Sequence, residues 1–586
     1  MALTDPSNTI FQKAVAFVNQ TSKHLFLTGK AGTGKTTFLK YIREHGFKKM
    51  AVVAPTGVAA INAGGVTIHS FFQLPLGPYI PSLKNNWEVF DGRVNNQHSL
   101  FKNLRLGSSK RDLMKELELL IIDEVSMVRA DMLDEVDVIL RHVRKQPSLP
   151  FGGVQMLYIG DLFQLPPVVK NDEWQILREH YKSPFFFDAQ VLQQVPPVYI
   201  ELKKIYRQSD HEFISILNNL RNNQCTADDL EQLHQYYKPQ FFPAKEENYI
   251  TLTSHNDKAD AINRNELKKL PGKLHSYKAE ITGEFYERTF PADEVLYLKE
   301  GAQVMFIKND KGEIRRYYNG KIGLIKQIEA EKILVSFPNE AEELELEKET
   351  WQNIKYNYNK EKDKIDEEEL GTFTQYPIRL AWAITIHKSQ GLTFDKAVID
   401  AGASFAPGQV YVALSRLTKM EGLVLHSRIH SSCISTDARV IEFVKGEWTE
   451  EDLQQTLEEE QQLFVKNSLL KGFGWQKVLE SLLQHVEELQ ERELPKKETC
   501  LQWAQTALSQ TTDLHEVAVK FIRQLEQLYL ASGEGYQQLH SRTKAAVDYF
   551  SKSIDESLIA SVDEHFEAIK KEKKVKGYLK ELVEIK

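Results

Sequence analysis

A glycine-rich segment, Gly29–Thr36, limits the fold of this chain more than any other part of its sequence. It has the form G-x-x-x-x-G-K-T, follows the short apolar run His24–Thr28 and opens a helical stretch. This is the context in which such a segment binds phosphate groups. The glycines let backbone N–H groups surround phosphate oxygens, and the start of the helix adds positive potential. We therefore predict a nucleotide-binding loop on an α/β domain, with contacts from Gly29, Ala31, Gly32, Thr33, Gly34, Lys35, Thr36 and Thr37.

Two side chains of this loop and two carboxylates further along carry the predicted chemistry. Lys35 is expected to contact the β- and γ-phosphates of ATP, and the Thr36 hydroxyl to ligate Mg²⁺. The apolar run Leu119–Ile122 ends in Asp123 and Glu124. Asp123 is placed to hold Mg²⁺ directly or through water, and Glu124 to orient and deprotonate the attacking water. This pair favours hydrolysis coupled to motion over phosphate transfer to a small molecule.

Three further residues complete the predicted catalytic set. Gln164 follows a third apolar strand, where it can read the γ-phosphate and couple its loss to a change of shape. Arg207 and Arg416 lie C-terminal to this segment, in a second predicted α/β block. An arginine supplied from a facing domain stabilises transition-state charge, which makes hydrolysis depend on domain closure.

The pattern of apolar runs indicates two α/β blocks. Runs at 51–54, 119–122 and 156–159 are continuous, as in parallel strands buried on both faces, and place the first domain at about residues 1–200. A second block starts near Tyr199 and includes runs at 249–253 and 396–400. Between them, weak alternation and the hairpin signal Asn319–Gly320 predict an inserted β-domain at 301–375. Residues 446–586 read as a bundle of helices.

The distribution of charge matters more than its total, which is −8. A negative net charge by itself argues against a nucleic-acid-binding protein. However, residues 446–586 hold 26 acidic and 18 basic side chains, and residues 339–370 hold 12 acidic side chains and 5 lysines. The rest of the chain is net basic. The stretch 339–370 is predicted to be a solvated loop or an exposed helix.

The cysteine count and the apolar pattern argue against a disulfide-rich, zinc-binding, secreted or membrane-spanning protein. Cys225, Cys433 and Cys500 are too few and too widely spaced for a disulfide framework or a zinc site. The first twenty residues lack the pattern of a signal peptide, and no uncharged apolar stretch reaches membrane-spanning length. These features predict a bacterial cytoplasmic protein, or a nuclear one in a eukaryote, without membrane contact.

Taken in order, the motifs resemble those of superfamily 1 helicases, and closely those of the Pif1 family of DNA helicases (superfamily 1B). The likeness extends over about residues 11–422 and rests on the whole set. Its parts are Gln12, placed like an adenine-reading glutamine, and the segments 54–60, 65–72, 123–127, 133–155, 160–168, 383–391 and 409–416. The segment 133–155 is similar to the signature that distinguishes Pif1 proteins.

The resemblance implies an α/β fold of two RecA-like domains that bind ATP and Mg²⁺ between them and single-stranded DNA across them. They would be domain 1A at 1–200 and domain 2A at 201–300 and 376–445. The insertion would be an SH3-like 2B domain. Implied activities are 5′→3′ movement and unwinding of duplexes, RNA–DNA hybrids and G-quadruplexes at single-strand/double-strand junctions. Implied roles are DNA repair, recombination and telomere maintenance.

The expected DNA-contacting residues are polar, basic or aromatic groups in the matching loops. They are Thr56, Thr67, His69, Ser70, Phe71, Phe72, Thr385, His387, Lys388 and Ser389, with Gly391 assigned to the nucleotide. Short polar and basic groups can bond phosphates. Phe71 and Phe72 can stack on bases, but a place in the core is an equal alternative for each.

Two rival functions remain open at this point. One is a nucleotide-gated DNA clamp without unwinding, and the other is a RecD-like motor subunit of a larger complex. The helical tail 446–586 has no counterpart in the motif set. A protein-docking module, an autoinhibitory cap and a second nucleic-acid contact are all compatible with it.

Overall fold

A computed structural model describes residues 8–30, 32–81, 94–204, 210–243, 247–310, 316–329, 332–338, 340, 342–400, 408–430, 433–434, 436–531 and 536–585. The chain forms two compact units, residues 1–455 and residues 456–586. The first unit contains two parallel sheets and an antiparallel insertion, and the second is helical.

The first sheet has six parallel strands in the order β3-β2-β4-β5-β1-β6. Their bounds are β1 Leu25–Gly29, β2 Met50–Ala54, β3 Val66–Thr67, β4 Leu119–Ile122, β5 Gln155–Ile159 and β6 Val198–Leu202. Leu27 pairs with Ile159 on one side and with Ile200 on the other, so β1 lies between β5 and β6. The sheet thus extends to Leu202, slightly past the predicted end of the first domain.

Nine helices accompany this sheet in the described residues. They are α1 Thr9–Gln20, α2 Lys35–His45, α3 Gly57–Ala63, α4 Ile68–Phe72, α5 Gln97–Asn103, α6 Ser108–Glu116, α7 Ala130–Val143, α8 Asn171–Leu177 and α9 Gln190–Gln194. The ring of Phe11 on α1 packs edge-on against Phe38 and Tyr41 of α2, with centroids 5.2 and 5.7 Å away. This contact holds α1 beside the helix that follows the glycine-rich loop.

The segment 133–155, similar to the Pif1 signature, supports the first sheet through buried carboxylates. Asp134 on α7 accepts hydrogen bonds from the backbone N–H groups of Gln190 and Val191, both at 2.9 Å. Asp137 accepts one from the backbone N–H of Phe151 at 2.5 Å. Because these acids satisfy backbone donors of neighbouring elements, they fix how α7 meets α9 and the turn before β5.

The second sheet has four parallel strands in the order β18-β7-β19-β20. Their bounds are β7 Ile250–Thr253, β18 Ala383–Thr385, β19 Ala397–Ile399 and β20 Leu423–Leu425. The helices of this part are α10 His211–Arg221, α11 Ala227–His234, α12 Asn256–Lys269, α13 Gln409–Leu414 and α14 Ala438–Val444. The predicted runs at 249–253 and 396–400 are therefore strands of one sheet.

The insertion consists of antiparallel strands that extend beyond the predicted range 301–375 at both ends. The strands are β8 His275–Lys278, β9 Glu280–Gly283, β10 Val295–Leu298, β11 Gln303–Phe306, β12 Ile322–Ile328, β13 Ile333–Ser336, β14 Leu344–Glu345, β15 Glu349–Asn359, β16 Lys364–Gln375 and β17 Ile378–Leu380. They form sheets in the orders β14-β13-β12-β11-β17, β15-β16-β9 and β10-β8.

The acidic stretch 339–370 is mostly a β-hairpin, so the prediction of a loop or helix was wrong. Strands β15 and β16 pair over their whole length, with cross-strand partners such as Lys355 and Glu368, 3.1 Å apart. Tyr356 is buried, and its hydroxyl accepts a hydrogen bond of 3.3 Å from the backbone N–H of Val52 on β2. The hairpin therefore lies along the edge of the first sheet.

The unit 456–586 is helical, as predicted for the tail. Its helices are the greater part of α15 Glu450–Gly472, then α16 Gln476–Glu491, α17 Lys497–Ala531, α18 Gln537–Ile554, α19 Ala560–Ile569 and α20 Lys576–Ile585. One apolar cluster is centred on Phe473, Phe521 and Phe550, and a second contains Cys500 and Tyr578. Among the described residues, no helix of the chain combines the length and apolarity needed to cross a membrane.

Candidate active site and nucleic-acid interface

The glycine-rich loop connects β1 to α2 with a backbone suited to an anion. Gly32 and Gly34 have φ values of +83° and +97°, in the left-handed region that glycine adopts without strain. Gly34 precedes α2, and no side chain caps the N-terminus of this helix. The first N–H groups of α2 are thus available to a phosphate. Ala31, also predicted here, lies outside the described residues.

The polar residues of the loop lie at the start of α2. The Lys35 ammonium donates to the backbone oxygens of Gly29 and Lys30, at 2.5 and 3.1 Å. Thr36 is exposed and Thr37 is half-buried, while Thr33 is buried and its hydroxyl donates to Lys30 at 2.9 Å. The loop therefore has a defined shape, and the Lys35 ammonium lies against its backbone oxygens.

Asp123 and Glu124 follow β4, which is separated from β1 only by β5. Burial and the charge of Glu124 raise the pKa of Asp123 to about 7. Burial also raises the pKa of Glu124, against the opposing effects of Lys35 and Arg416. Glu124 has a left-handed backbone, with φ of 50°, which is unusual for this residue type and occurs often at functional sites. A carboxylate with a raised pKa is suited to accept a proton from water.

The donor set fits a magnesium ion. Magnesium is usually held by one or two protein oxygens together with substrate phosphates. Asp123 and the exposed Thr36 hydroxyl are of this kind. Within the described ranges, no group of three or more His, Cys, Asp or Glu side chains forms a self-sufficient metal cage.

Gln164 lies just after β5 in a buried turn. Its carboxamide donates to Asp161 Oδ2 at 3.1 Å, and both side chains are almost fully buried. Gly408, at the start of α13, meets this turn from the second sheet. A Cβ atom on Gly408 would lie 2.9 Å from the backbone oxygen of Gln164, so the two sheets approach each other closely here.

Arg416 follows α13 and brings its charge to the acid pair. Only 1% of this residue is exposed, and its guanidinium donates to Val412 O at 3.0 Å and Ser415 Oγ at 2.9 Å. Burial lowers the pKa of Arg416, while Glu124 and Asp161 are among the charges that oppose this effect. The other predicted arginine, Arg207, lies outside the described residues.

One buried arginine of this region was missed from the sequence. Arg221, the last residue of α10, forms an ion pair of 2.8 Å with Glu201 and one of 3.8 Å with Asp161. Its guanidinium also lies 4.2 Å from the ring centre of Phe163. The available signal was its position, since Arg221 falls on the apolar stripe that includes Phe213, eight residues earlier.

The predicted DNA contacts separate into exposed and buried groups. Ser70, His387 and Lys388 are exposed, and His69 is half-buried. Thr56 and Thr67 accept hydrogen bonds at the starts of α3 and α4, both at 3.2 Å. A hydroxyl that accepts one bond can still donate another to a phosphate.

Four predicted contacts are buried, and direct contact with DNA is wrong for them in this conformation. Phe71 and Phe72 have no exposed surface and their ring centres are 4.8 Å apart, so both belong to the core. Ser389 is fully buried and its hydroxyl donates to Ile386 O at 2.8 Å. Thr385 is 3% exposed and caps the same turn. These residues shape the loops that present Ser70, His387 and Lys388.

Two residues assigned to the nucleotide stay predictions. Gln12 is exposed on α1, beside α2. Gly391 is exposed, has φ of +75°, and a Cβ there would meet open space.

Two parallel sheets that share one phosphate-binding loop, an acid pair and a facing arginine define a P-loop protein with two RecA-like domains. The family model described as PIF1-like helicase matches residues 2–231, and one described as DNA helicase, middle domain, matches residues 456–586. The chain belongs to the Pif1 family of DNA helicases, as predicted. The tail, which has no counterpart in the motif set, thus corresponds to a domain type of its own.

Relatives in bacteria and animals support this assignment. The ATP-dependent DNA helicase Pif1 of Campylobacter jejuni is 31% identical over 462 residues, which cover 74% of this chain and 96% of that protein. The ATP-dependent DNA helicase PIF1 of Mus musculus is 33% identical over 465 residues, 76% of this chain. The match spans only 63% of the mouse protein.

Solved structures confirm the fold. Bacteroides sp Pif1 in complex with ADP-AlF4 is 41% identical and aligns with a TM-score of 0.67 over 74% of this chain and 96% of that one. The unliganded protein gives a TM-score of 0.68, over 76% and 97%. Bound to ssDNA it gives 0.51 over the same shares, so the described conformation is closer to the DNA-free forms.

Proposed function

We propose that this chain is an ATP-dependent DNA helicase that moves 5′→3′ on single-stranded DNA and unwinds duplexes, forks and G-quadruplexes. The observation that supports this most is the position of Arg416, which belongs to the second sheet but acts electrostatically on Glu124 of the first. Hydrolysis would then require the two sheets to be together. Roles in repair, recombination and telomere maintenance are part of the same proposal.

The residues of the first sheet bind and activate the substrate. Backbone N–H groups at the start of α2 and the Lys35 ammonium hold the phosphates. Thr36 and Asp123 would hold Mg²⁺, which when bound would neutralise negative charge on the phosphates. Glu124, with its raised pKa, accepts the proton of the attacking water. Gln164 is placed to respond to loss of the γ-phosphate.

The part of the chain that forms the second sheet supplies the arginine for hydrolysis and some of the DNA contacts. Arg416 stabilises charge in the transition state once the sheets close. Exposed Lys388 and His387 contact the strand on one side, and Ser70 contacts it on the other. The two sheets close when ATP binds and open after hydrolysis. This cycle moves the two groups of DNA contacts relative to each other, and the protein thereby moves along the strand.

A strand-displacement assay with 5′-tailed and 3′-tailed duplexes tests the proposal. We expect the purified full chain, ATP and Mg²⁺ to separate the 5′-tailed duplex and leave the 3′-tailed one intact. Separation of only the 3′-tailed duplex contradicts the polarity. ATP-dependent DNA binding without separation of either duplex supports the clamp instead.

A motor subunit of a larger complex is the second candidate, favoured by the helical unit 456–586. This unit has its own apolar clusters and matches its own family model. It is the part we propose to bind a protein partner. Unwinding by the purified chain alone, at rates that do not rise on addition of cell extract, argues against this candidate.

A further inference from the structure

The charge of Asp161 acts on two buried arginines from the part of the chain that forms the second sheet, Arg416 and Arg221. Arg221 is the last residue of α10, and Arg416 follows α13. Their positions differ, because Arg416 also acts on Glu124 of the acid pair. Arg221 is instead enclosed by Glu201 and the ring of Phe163. Arg221 is 4% exposed, and its ion pairs are with Glu201 and Asp161, so we treat it as a residue that acts through these carboxylates.

A chain of contacts leads from Arg221 to Gln164. The Nη2 atom of Arg221 lies 3.8 Å from Asp161 Oδ1, an oxygen that also accepts a hydrogen bond from Phe163 N at 3.2 Å. The other oxygen, Oδ2, accepts from the Gln164 carboxamide at 3.1 Å. The orientation of the Asp161 carboxylate thus sets the direction of the Gln164 side chain.

Arg221 still has unused donors. Among the described residues, its Nε and Nη2 atoms have no hydrogen-bond partner although both are buried. A buried donor without a partner is costly, and a charged one more so. The 3.8 Å separation from Asp161 is an ion pair that is too long for a hydrogen bond. If the two sheets moved closer together, Nη2 of Arg221 could form a hydrogen bond with Asp161.

We infer that Arg221 is a positioning residue that fixes Asp161, and through it Gln164, in the geometry required for hydrolysis when the sheets close. The inference rests on the proposed function, since it takes Gln164 as the group that reads the γ-phosphate. It adds a link from α10 to the nucleotide that the motif arginines do not provide.

The test compares Arg221→Met, which removes the charge, with Arg221→Lys, which keeps it, in the full chain. We expect the affinity for a non-hydrolysable ATP analogue to stay within about threefold, because no phosphate contact is lost. We expect kcat of single-strand-stimulated ATP hydrolysis to fall about 10²-fold in Arg221→Met, as for a misplaced catalytic group. Arg221→Lys should recover roughly a tenth of the wild-type kcat, since lysine cannot reproduce the planar fork.

Arg144→Met, at a half-buried arginine with several hydrogen bonds, is the control for the structural loss of a guanidinium. The Arg144 guanidinium donates to the backbone oxygens of Gly152 and Leu117, at 2.6 and 2.9 Å, away from the site. We expect it to lower the melting temperature as Arg221→Met does while leaving kcat unchanged. A double-mutant cycle with Asp161→Asn should show that Arg221→Met has little further effect on kcat once the carboxylate is gone.

Several results would overturn the inference. One is wild-type kcat in folded Arg221→Met, and another is independent, multiplicative effects of Arg221→Met and Asp161→Asn. If Arg221→Met does not fold, wild-type kcat in Arg221→Lys has the same meaning. Absence of DNA-stimulated hydrolysis in the wild-type chain refutes the proposed function instead, so the two failures are distinguishable.

Discussion

The two parallel sheets place a strand, a loop and a helix in similar positions but use them differently. Strand β1 leads through the glycine-rich loop to α2, whose N-terminus has no side-chain cap. Strand β7 leads through Ser254 and His255 to α12, and these two side chains bond each other at 2.7 Å. Neither helix has a side-chain cap at its start, but only the first is preceded by glycines with positive φ. We therefore propose that the first sheet binds phosphate and that the second part of the chain supplies the arginine that faces it.

The strongest test of this comparison exchanges a lysine at the start of each helix for alanine. We expect Lys35→Ala to abolish DNA-stimulated ATP hydrolysis, with a loss of at least about 10²-fold, because one charged contact to the phosphates disappears. Lys258→Ala, near the start of α12, should leave hydrolysis nearly unchanged. Steady-state ATPase assays and circular dichroism of both variants provide the measurement. Normal turnover in Lys35→Ala contradicts the assigned phosphate site.

Removal of the facing arginine should separate binding from hydrolysis. In Arg416→Ala we expect nucleotide affinity to be retained and turnover to fall about 10³-fold, because the guanidinium acts on transition-state charge. Arg428→Ala, an exposed arginine of the same part of the chain, is the control. Equilibrium nucleotide binding with single-turnover hydrolysis distinguishes the two effects. Lost affinity with normal turnover of bound ATP would refute the role of Arg416.

A smaller effect is expected at the loop after β18, which we propose contacts DNA. Lys388→Ala should reduce affinity for single-stranded DNA similarly for all sequences and lower the slope of log affinity against log salt by about 1. Ser389→Ala changes the buried neighbour and should leave this slope unaltered. Fluorescence anisotropy at several salt concentrations measures both. Equal slopes for Lys388→Ala and wild type mean that Lys388 does not contact a phosphate.

The smallest effect concerns the support of the first sheet and depends on pH. Glu135 on α7 is 3% exposed, and burial, with a contribution from Asp131, raises its pKa to about 8. Between about pH 4.5 and pH 8 the folded state keeps this carboxyl protonated, whereas the unfolded state ionises it. The contribution of Glu135 to the free energy of unfolding therefore falls as pH rises through this range. We expect Glu135→Gln to raise the melting temperature by a few degrees at pH 8 and by less at pH 5. Glu179→Gln, at an exposed position, is the control. Melting temperatures of both variants at pH 5 and pH 8 test the prediction.

The strands and the phosphate site could be predicted because their physics is local. Parallel strands covered on both faces are continuous apolar runs, and a phosphate loop needs its glycines and lysine at fixed spacing. Phe71 and Phe72 could not be assigned, because a helix of five residues does not reveal which of its faces is covered. The role of Arg221 depends on Glu201 on β6 and Asp161 just after β5, which are distant from it in the sequence.

The hairpin was misjudged for a related reason. Its acidic residues suggested solvent, but Asp366–Glu369 are on β16, and its partner strand β15 carries Tyr356, which contacts the first sheet. One strand of a hairpin can thus be acidic and exposed while the other is partly buried. The net charge of the whole stretch averages the two strands, so it did not reveal the buried one.

The hydrogen bond between Tyr356 and Val52 also bears on solubility. Strand β3 pairs with Val53 and Ala54, so the N–H of Val52 lies beyond its end. An uncovered strand edge is a template for pairing with another chain, and proteins often shield such edges. The hairpin acts here as the shield. Any state in which the hairpin leaves β2 exposes a strand edge that is prone to aggregation. The hairpin, when packed on β2, therefore protects the inactive protein from aggregation.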